Sequence, residues 1–176
     1  MIPVLETDRL KLRAHGLNDF PASAALWADP IVTRHIGGQP IGQEEAWTRF
    51  LRYAGHWALL GFGYWAVEEK STGNFVGEIG FADYKRNLEF EFKQAPEIGW
   101  VLAPASHGKG YATEAVRAAA KWGDRHFEEA RTFCLIRPEN LPSIRVAQKC
   151  GYWEFRRTAY KGQPTIVLVR DRANGS

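Results

Sequence analysis

Between Glu97 and Ala115 the chain reads EIGWVLAPASHGKGYATEA, an apolar segment followed by a loop with glycines at 108 and 110 and then a helical pattern. Glycine admits unusual backbone dihedrals and lets a ligand come close to the main chain. A helix start leaves N–H donors unpaired and sets a partial positive charge beside them. Together these features suit phosphate binding; the plainer reading is that Gly108 and Gly110 turn a strand into a helix. Two nucleotide signatures are excluded. Gly110 is followed by Tyr111 where a P-loop needs Lys, and no G-x-G-x-x-G follows a strand. Glu114, in the first helical turn, suits the helix dipole without any ligand.

Other chemistry-bearing side chains are scattered. His35, His56 and His126 have no Cys or acidic partner at ligand spacing, so neither a metal site nor a nucleophilic triad is expected. Cys134 and Cys150 lie far apart without a C-x-x-C motif and read as buried free thiols.

The phosphate loop needs elements on both sides of it. Leu10 and Leu12 alternate with Arg9, Lys11 and Arg13 as a first strand. Asn18 or Asp19 is placed to cap a helix carrying Phe20, Ala24 and Trp27, which Pro30 follows. Trp47, Phe50, Leu51, Ala54 and Ala58 recur at helical intervals between Gln43 and Leu60, and Gly61 marks the stop. Strands are expected over 64–69, 75–81 and 97–102, with Ser71-Thr72-Gly73-Asn74 turning the first two into a hairpin. A helix then runs from Gly110 to about Phe127, with Ala112, Ala115, Ala119, Trp122 and His126 on one stripe. A strand over 132–136 follows. Asn140 caps a further helix with Pro142 in its first turn, Ile144, Ala147 and Cys150 inward and Gly151 as the stop. Strands over 152–158 and 165–170 complete an α/β (α+β) domain spanning residues 1–176.

Composition bounds the partners. The 176 residues fit one domain, and 45% hydrophobic with 24% charged residues is an ordinary globular balance. No apolar run reaches membrane-span length and no signal core follows Met1, so a cytoplasmic protein without a membrane partner is expected. A net charge of +3 is too small for a nucleic-acid footprint. Between Arg131 and Arg172 nine basic residues face three acidic ones, so a polyanion would favour that end.

The 97–115 segment resembles motif A of the GNAT acetyltransferase superfamily, a Gln/Arg-x-x-Gly-x-Gly/Ala loop after the fourth strand, matched here by His107-Gly108-Lys109-Gly110-Tyr111-Ala112. His107 departs from the usual Gln or Arg, which removes one donor but leaves the backbone amides. Asn140-Leu141-Pro142-Ser143 and Lys149-Cys150-Gly151-Tyr152 resemble the N-x-x-S and K-x-G-F/Y patterns of the ribosomal-protein-alanine acetyltransferase branch. Thr7-Asp8-Arg9-Leu10, Gly77-Glu78-Ile79-Gly80 and Glu97-Ile98-Gly99-Trp100 match that branch in the same order, so the likeness covers nearly the whole chain.

The resemblance implies a mixed, mostly antiparallel sheet of about seven strands with about four helices. Its fourth and fifth strands splay, a bulge interrupts the fourth, and pantetheine lies in the gap. It implies acetyl-CoA as co-substrate, with no metal, and a primary amine, a protein amino terminus or a small amine, as acceptor. Trp100, Val101 and Leu102 would offer backbone hydrogen bonds to pantetheine. His107, Gly108, Lys109, Gly110, Tyr111 and Ala112 would hold the pyrophosphate, with Asn140, Ser143 and Lys149 also on the cofactor side. Asn140 reads equally as a simple helix cap. Transfer needs a base for the amine and an acid for the thiolate. Glu97 is the first candidate base, although a solvated strand-end carboxylate looks the same in sequence. Glu78 is the second, with its structural reading favoured. Ser143 is the candidate acid, and Tyr152 reads as packing. Trp27, Trp47, Trp57, Trp65 and Trp100 all precede the loop, in the half that helps form the family's acceptor pocket; packing is the default for most of them. Asp19, Asp29, Glu44, Glu45 and Asp83 could make that pocket acidic or be solvated. Dimers are frequent in the branch, which implies a homodimer by analogy. The alternative class is a GNAT-fold module that binds acyl-CoA without transferring from it.

Overall fold

The alternation of apolar residues resolves into eight strands: β1 (Leu5–Glu6), β2 (Leu10–Arg13), β3 (Tyr64–Glu69), β4 (Phe75–Ala82), β5 (Glu97–Leu102), β6 (Arg131–Ile136), β7 (Trp153–Tyr160) and β8 (Gln163–Asp171). They form one sheet in the order β1-β2-β3-β4-β5-β6-β8-β7. This is a computed structural model, and it describes residues 1–88 and 95–172. All neighbours run antiparallel except β5 and β6. Among the described residues five helices flank the sheet: α1 (Phe20–Ala28), α2 (Pro30–Thr33), α3 (Gln43–Leu60), α4 (Tyr111–His126) and α5 (Leu141–Lys149). The extra strand is the two-residue β1, and the extra helix is the single turn α2, capped by the Asp29 side chain on the Ile31 N–H. Both are too short to show periodicity in a sequence.

The core lies between the sheet and α4. Val116 and Ala119 of that helix meet Leu10, Ile79 and Phe81 of the sheet, all with no exposure. Trp57, Trp65 and Trp122 pack edge to face at 4.9, 5.1 and 5.7 Å between ring centroids. Three of the five N-terminal tryptophans therefore serve packing among the described residues, since Trp47 lies on Phe20 and Phe50 at the surface.

Two local expectations are corrected. The buried face of α3 is Ala46, Phe50 and Tyr53, whereas Leu51, Ala54 and Ala58 are exposed. The stripe is rotated because Tyr53 goes inward, where its hydroxyl donates to Glu78 at 2.6 Å; a buried tyrosine needs such a partner. Asp19 precedes α1 but makes no side-chain cap, because its carboxylate is taken by Arg13 and the Gly16 N–H.

The sheet opens where expected. β5 and β6 pair at one step, Glu97 with Phe133, and the Phe133 N–H donates to the Pro96 carbonyl at 3.2 Å. Beyond that step they part. The expected bulge in 97–102 is absent: β5 keeps register with β4 throughout, and the irregular step lies between Val67 and Glu68 of β3, leaving Val76 of β4 as the extra residue.

Candidate active site

The loop before α4 has the backbone its glycines predicted. Gly108 and Gly110 adopt φ of 75° and 79°, the left-handed region that side chains resist. Gly110 stands at the N-cap of α4 without a side-chain cap, and the first amide bonded back is Glu114 N–H to the Gly110 carbonyl. The main-chain N–H groups of residues 108 to 112 therefore take no partner among the described residues. An unpartnered row of donors at a helix start fits a diphosphate. Lys109 is exposed beside them, with its carbonyl accepting from Arg9 Nη1 at 2.9 Å. Arg9 in turn chelates Glu114, which also accepts from Thr7 Oγ1 at 2.6 Å. Glu114 thus ties the start of β2 to the loop, a role that the dipole reading had missed and that explains the Thr7-Asp8-Arg9 motif. The imidazole of His107 turns back, its Nε2 lying 2.9 Å from the Leu102 carbonyl, and so steadies the end of β5 rather than the phosphate loop. The Tyr111 side chain is buried at the edge of the core, with the Lys109 ammonium and the Arg9 guanidinium over its ring at 5.7 and 4.7 Å, and its hydroxyl donates to Glu69.

The free edge of β5 follows from strand alternation. The Ala103 N–H donates to the Val76 carbonyl, so residues 97, 99 and 101 turn their main-chain groups to β4, and residues 98, 100 and 102 turn theirs to the gap. The Trp100 main chain and the Leu102 N–H can hydrogen-bond a ligand lying there; the Leu102 carbonyl is already held by His107. Val101 also lines the cleft, but its N–H and carbonyl are spent on β4 and its side chain packs on Leu26, Trp27 and Val32, so it offers surface and not hydrogen bonds. Gly99 has no side chain because the Tyr64 hydroxyl fills that position.

A cleft of about 680 Å³ begins at this gap and is lined by β5, β6 and the start of α5. Asn140 and Ser143 both line it. Asn140 Oδ1 accepts from the Ser143 N–H at 3.2 Å, so its oxygen caps α5 while its amide nitrogen has no such duty. The two readings of Asn140 are compatible. The Ser143 hydroxyl has no hydrogen-bond partner among the described residues. Lys149 is exposed at the last turn of α5, outside the cleft wall; its carbonyl accepts from Arg117, and the adjacent Cys150 Sγ lies 3.6 Å from the Thr113 carbonyl, so this end of α5 stands beside the first turn of α4 rather than at the cleft.

Glu97 lines the cleft where β5 and β6 part, but it is not a solvated strand end. It is 8% exposed and takes a bidentate pair from Arg86 at 2.6 and 2.9 Å. Burial pushes its carboxyl above the ordinary value, against the pull of Arg86. Glu78 is sealed elsewhere. With no exposure, it accepts from Ser23, from Trp27 Nε1 at 2.9 Å and from Tyr53 at 2.6 Å, with His15 Nε2 at 3.5 Å. Burial raises its pKa, and His15 and these donors more than offset that, so it lies below the ordinary value. It has no place on the cleft wall. Tyr152 packs, sharing a 2.7 Å hydrogen bond with Thr132, and both cysteines are free and buried.

Sequence reading missed the far wall. Arg49 and Arg52 of α3, Tyr84, Arg86, Tyr160 and His35 all line the cleft. None of Asp19, Asp29, Glu44, Glu45 or Asp83 does. These residues come from separate segments with no common motif. Of the basic C-terminal third, Arg137 and Lys161 reach the cleft, while Arg157 and Arg170 are paired to Glu154 and Asp124. No group of three or more His, Cys, Asp or Glu residues placed to hold a metal occurs among the described residues, and no helix among them is long and apolar enough to cross a membrane.

Comparison with known proteins places this geometry. Residues 9–152 match the acetyltransferase (GNAT) domain family. The uncharacterized protein YkkB of Bacillus subtilis is 30% identical over 172 residues, covering 97% of this chain and 96% of its own. The structure of the acetyltransferase from Agrobacterium tumefaciens str. C58 superposes with a TM-score of 0.82 at 27% identity, covering 96% of this chain and 94% of its own. RimL, the ribosomal L7/L12 α-N-protein acetyltransferase solved in complex with coenzyme A, shares the fold at 16% identity and a TM-score of 0.76, covering 96% and 98%.

Proposed function

We propose, from the premise that this chain belongs to the GNAT acetyltransferase family, that it transfers the acetyl group of acetyl-CoA to a primary amine by direct attack within a ternary complex. The acceptor is a protein amino terminus or a small amine. One observation carries the reading: β5 and β6 separate after a single paired step, beside a loop whose N–H groups at residues 108 to 112 are unpartnered. That arrangement has a place for each part of the donor. The loop amides would hold the pyrophosphate, the Trp100 and Leu102 main chain and the Asn140 amide the pantetheine arm, and Ser143 the thioester end. The RimL neighbour, which binds coenzyme A, supports this reading through its shared fold.

Acetyl-CoA supplies an activated thioester, and the chain supplies position and proton transfer. As the amine attacks, a C–N bond forms and the C–S bond breaks. Glu97 takes the amine proton through a water, since both its oxygens are held by Arg86 and its raised pKa makes it a better base than an ordinary carboxylate. The Ser143 hydroxyl, free to turn, donates a hydrogen bond to the departing sulfur and passes it a proton replaced from water, so that coenzyme A leaves as the thiol and the serine is unchanged. In this reading the protein works in the cytoplasm, as a homodimer by analogy with the branch, and without metal, membrane or nucleic acid.

Calorimetry with coenzyme A, followed by a thiol-release assay over a panel of amines with acetyl-CoA, tests the proposal. Saturable binding and amine-dependent thiol release are expected. No affinity for coenzyme A defeats the donor site, and binding without release makes the protein a binding module instead.

A further inference from the structure

The cleft does not end at the donor gap, and the charge of its remaining walls restricts the acceptor. Arg49, Arg52, Arg86, Arg137 and Lys161 line it against one carboxylate, Glu97, among the described residues. Glu97 is fully engaged by Arg86, so that pair cancels. The loop at residues 108 to 112 is not part of the cleft wall. The cations of α3 are therefore not those that would meet the donor's pyrophosphate.

Two of them are arranged for a ligand. The Arg49 guanidinium lies over the Trp27 indole at 3.9 Å, and its Nε is buried without a hydrogen-bond partner among the described residues. Arg52 lies over the Tyr84 ring at 5.0 Å, and Arg86 contacts the same ring at 4.6 Å, so Arg52 stands one aromatic ring away from the Glu97 pair. Neither Arg49 nor Arg52 has a carboxylate partner among the described residues. Stacking a guanidinium on a ring fixes its plane and leaves its N–H edge for an in-plane, forked acceptor. Arg49 is partly buried, and holding such a cation without a counter-charge is costly unless something supplies one, whereas Arg52 is exposed and adds its charge at the mouth. A carboxylate is the group that matches the fork.

We infer that the acceptor is an amine bearing a carboxylate a few bonds from its amino group, such as a free amino acid or an amino terminus followed by an acidic residue, and that Arg49 and Arg52 select it. A polyamine or another multiply charged cation is disfavoured by the same wall. The inference rests on the transferase reading for its main test, which compares matched acceptors at saturating acetyl-CoA. The probes are glutamate against its diamide, a Ser-Asp-Asp peptide amide against Ser-Asn-Asn amide, and spermidine. A charge-assisted hydrogen bond gives kcat/KM about 10- to 100-fold higher for the carboxylate member of at least one pair, with spermidine slowest. Preference in the first pair alone names an amino acid, and in the second alone a peptide.

Arg52→Gln, and Arg49→Gln with Arg49→Lys as its charge-preserving control, should raise KM for the anionic acceptor and shrink the ratio toward one. Affinity for coenzyme A, measured on the same variants, should stay unchanged. Equal kcat/KM within both pairs, faster spermidine, or a ratio that survives both Gln variants overturns the inference. If no amine is turned over, the transferase reading fails instead. The charge inference is then read by calorimetry of the same pairs on coenzyme A-saturated protein, where equal affinity within both pairs, or none, overturns it.

Discussion

The two ends of the cleft are built from different materials. The donor end is main chain: free amides at 108 to 112, the open edge of β5 at Trp100 and Leu102, and a gap where β6 departs. The acceptor end is side chain: two arginines from α3, a tyrosine and an arginine from the segment after β4, and a tryptophan from α1. A backbone site constrains conformation, so it leaves glycines at fixed positions that any copy of the fold needs. A side-chain site constrains only what distant segments bring together. The first kind is legible in one sequence and carries little about specificity; the second is the reverse.

The sharpest break of that comparison is Gly110→Val. The left-handed φ of 79° is unfavourable for a β-branched residue, by about 1–2 kcal/mol. The added side chain also moves or covers the N–H row. Losing two charge-assisted hydrogen bonds, at about 1.5–3 kcal/mol each, lowers coenzyme A affinity about 100-fold or more. Calorimetry measures the affinity and thermal melting the strain. Retained affinity would mean that the backbone is not what holds the donor.

Next come the two buried carboxylates, which local sequence had left as rivals. Glu97→Gln should lower kcat about 100-fold or more while sparing coenzyme A affinity, because the variant removes proton acceptance but keeps a polar group beside Arg86. The wild-type rate should rise with pH through a limb set above the ordinary carboxylate value of 4.5, and Glu97→Gln should lose that limb. Glu78→Gln should instead cost stability, about 1–3 kcal/mol, with kcat nearly intact. Its sign with pH is fixed by direction. The folded carboxyl lies below 4.5, so its contribution is present above that value and is lost as pH falls through the folded pKa. Urea unfolding at pH 7 and at pH 3 measures it; a stability gap that grows on acidification would contradict the assignment.

A smaller effect tests how the β5 edge is kept open. Gly99→Ala puts a methyl onto the Tyr64 hydroxyl, and overpacking of this kind costs about 1–3 kcal/mol. Tyr64→Phe added to it should restore part of the loss, because removing the hydroxyl reopens the space. A double mutant no better than Gly99→Ala would show that the strand, and not the ring, sets the fit.

What sequence could supply follows the same division. Gly108 and Gly110, the Asn140 cap and the alternation of β5 were each readable because a few adjacent residues determine them. Arg86 was not, since its importance lies in a bidentate pair with a residue eleven positions on. Lys149 shares α5 with Asn140 and Ser143 yet stands beside α4 and not at the cleft, because a motif records order and not which end of a helix meets which wall. Val101 lines the cleft as its place in β5 implies, but strand alternation turns its main chain to β4, which a run of three residues in sequence does not show.

The smallest predicted effect concerns α3, which carries the acceptor arginines and whose stripe the sequence misassigned. Periodicity groups Leu51 with Phe50 as core, but Leu51 is 50% exposed and Phe50 is 5% exposed. If the helix is rotated as observed, Leu51→Lys changes stability by no more than about 0.5 kcal/mol. Phe50→Ala, in contrast, costs about 3–5 kcal/mol for lost burial and the cavity left behind. The rotation matters to function because the same turn of α3 that sends Tyr53 inward to Glu78 sets Arg49 and Arg52 on the cleft wall. Urea unfolding of the two variants reads the orientation without any ligand. Should Leu51→Lys prove as damaging as Phe50→Ala, α3 would turn the apolar stripe inward, Arg49 and Arg52 would leave the wall, and the acceptor end would lose its positive charge.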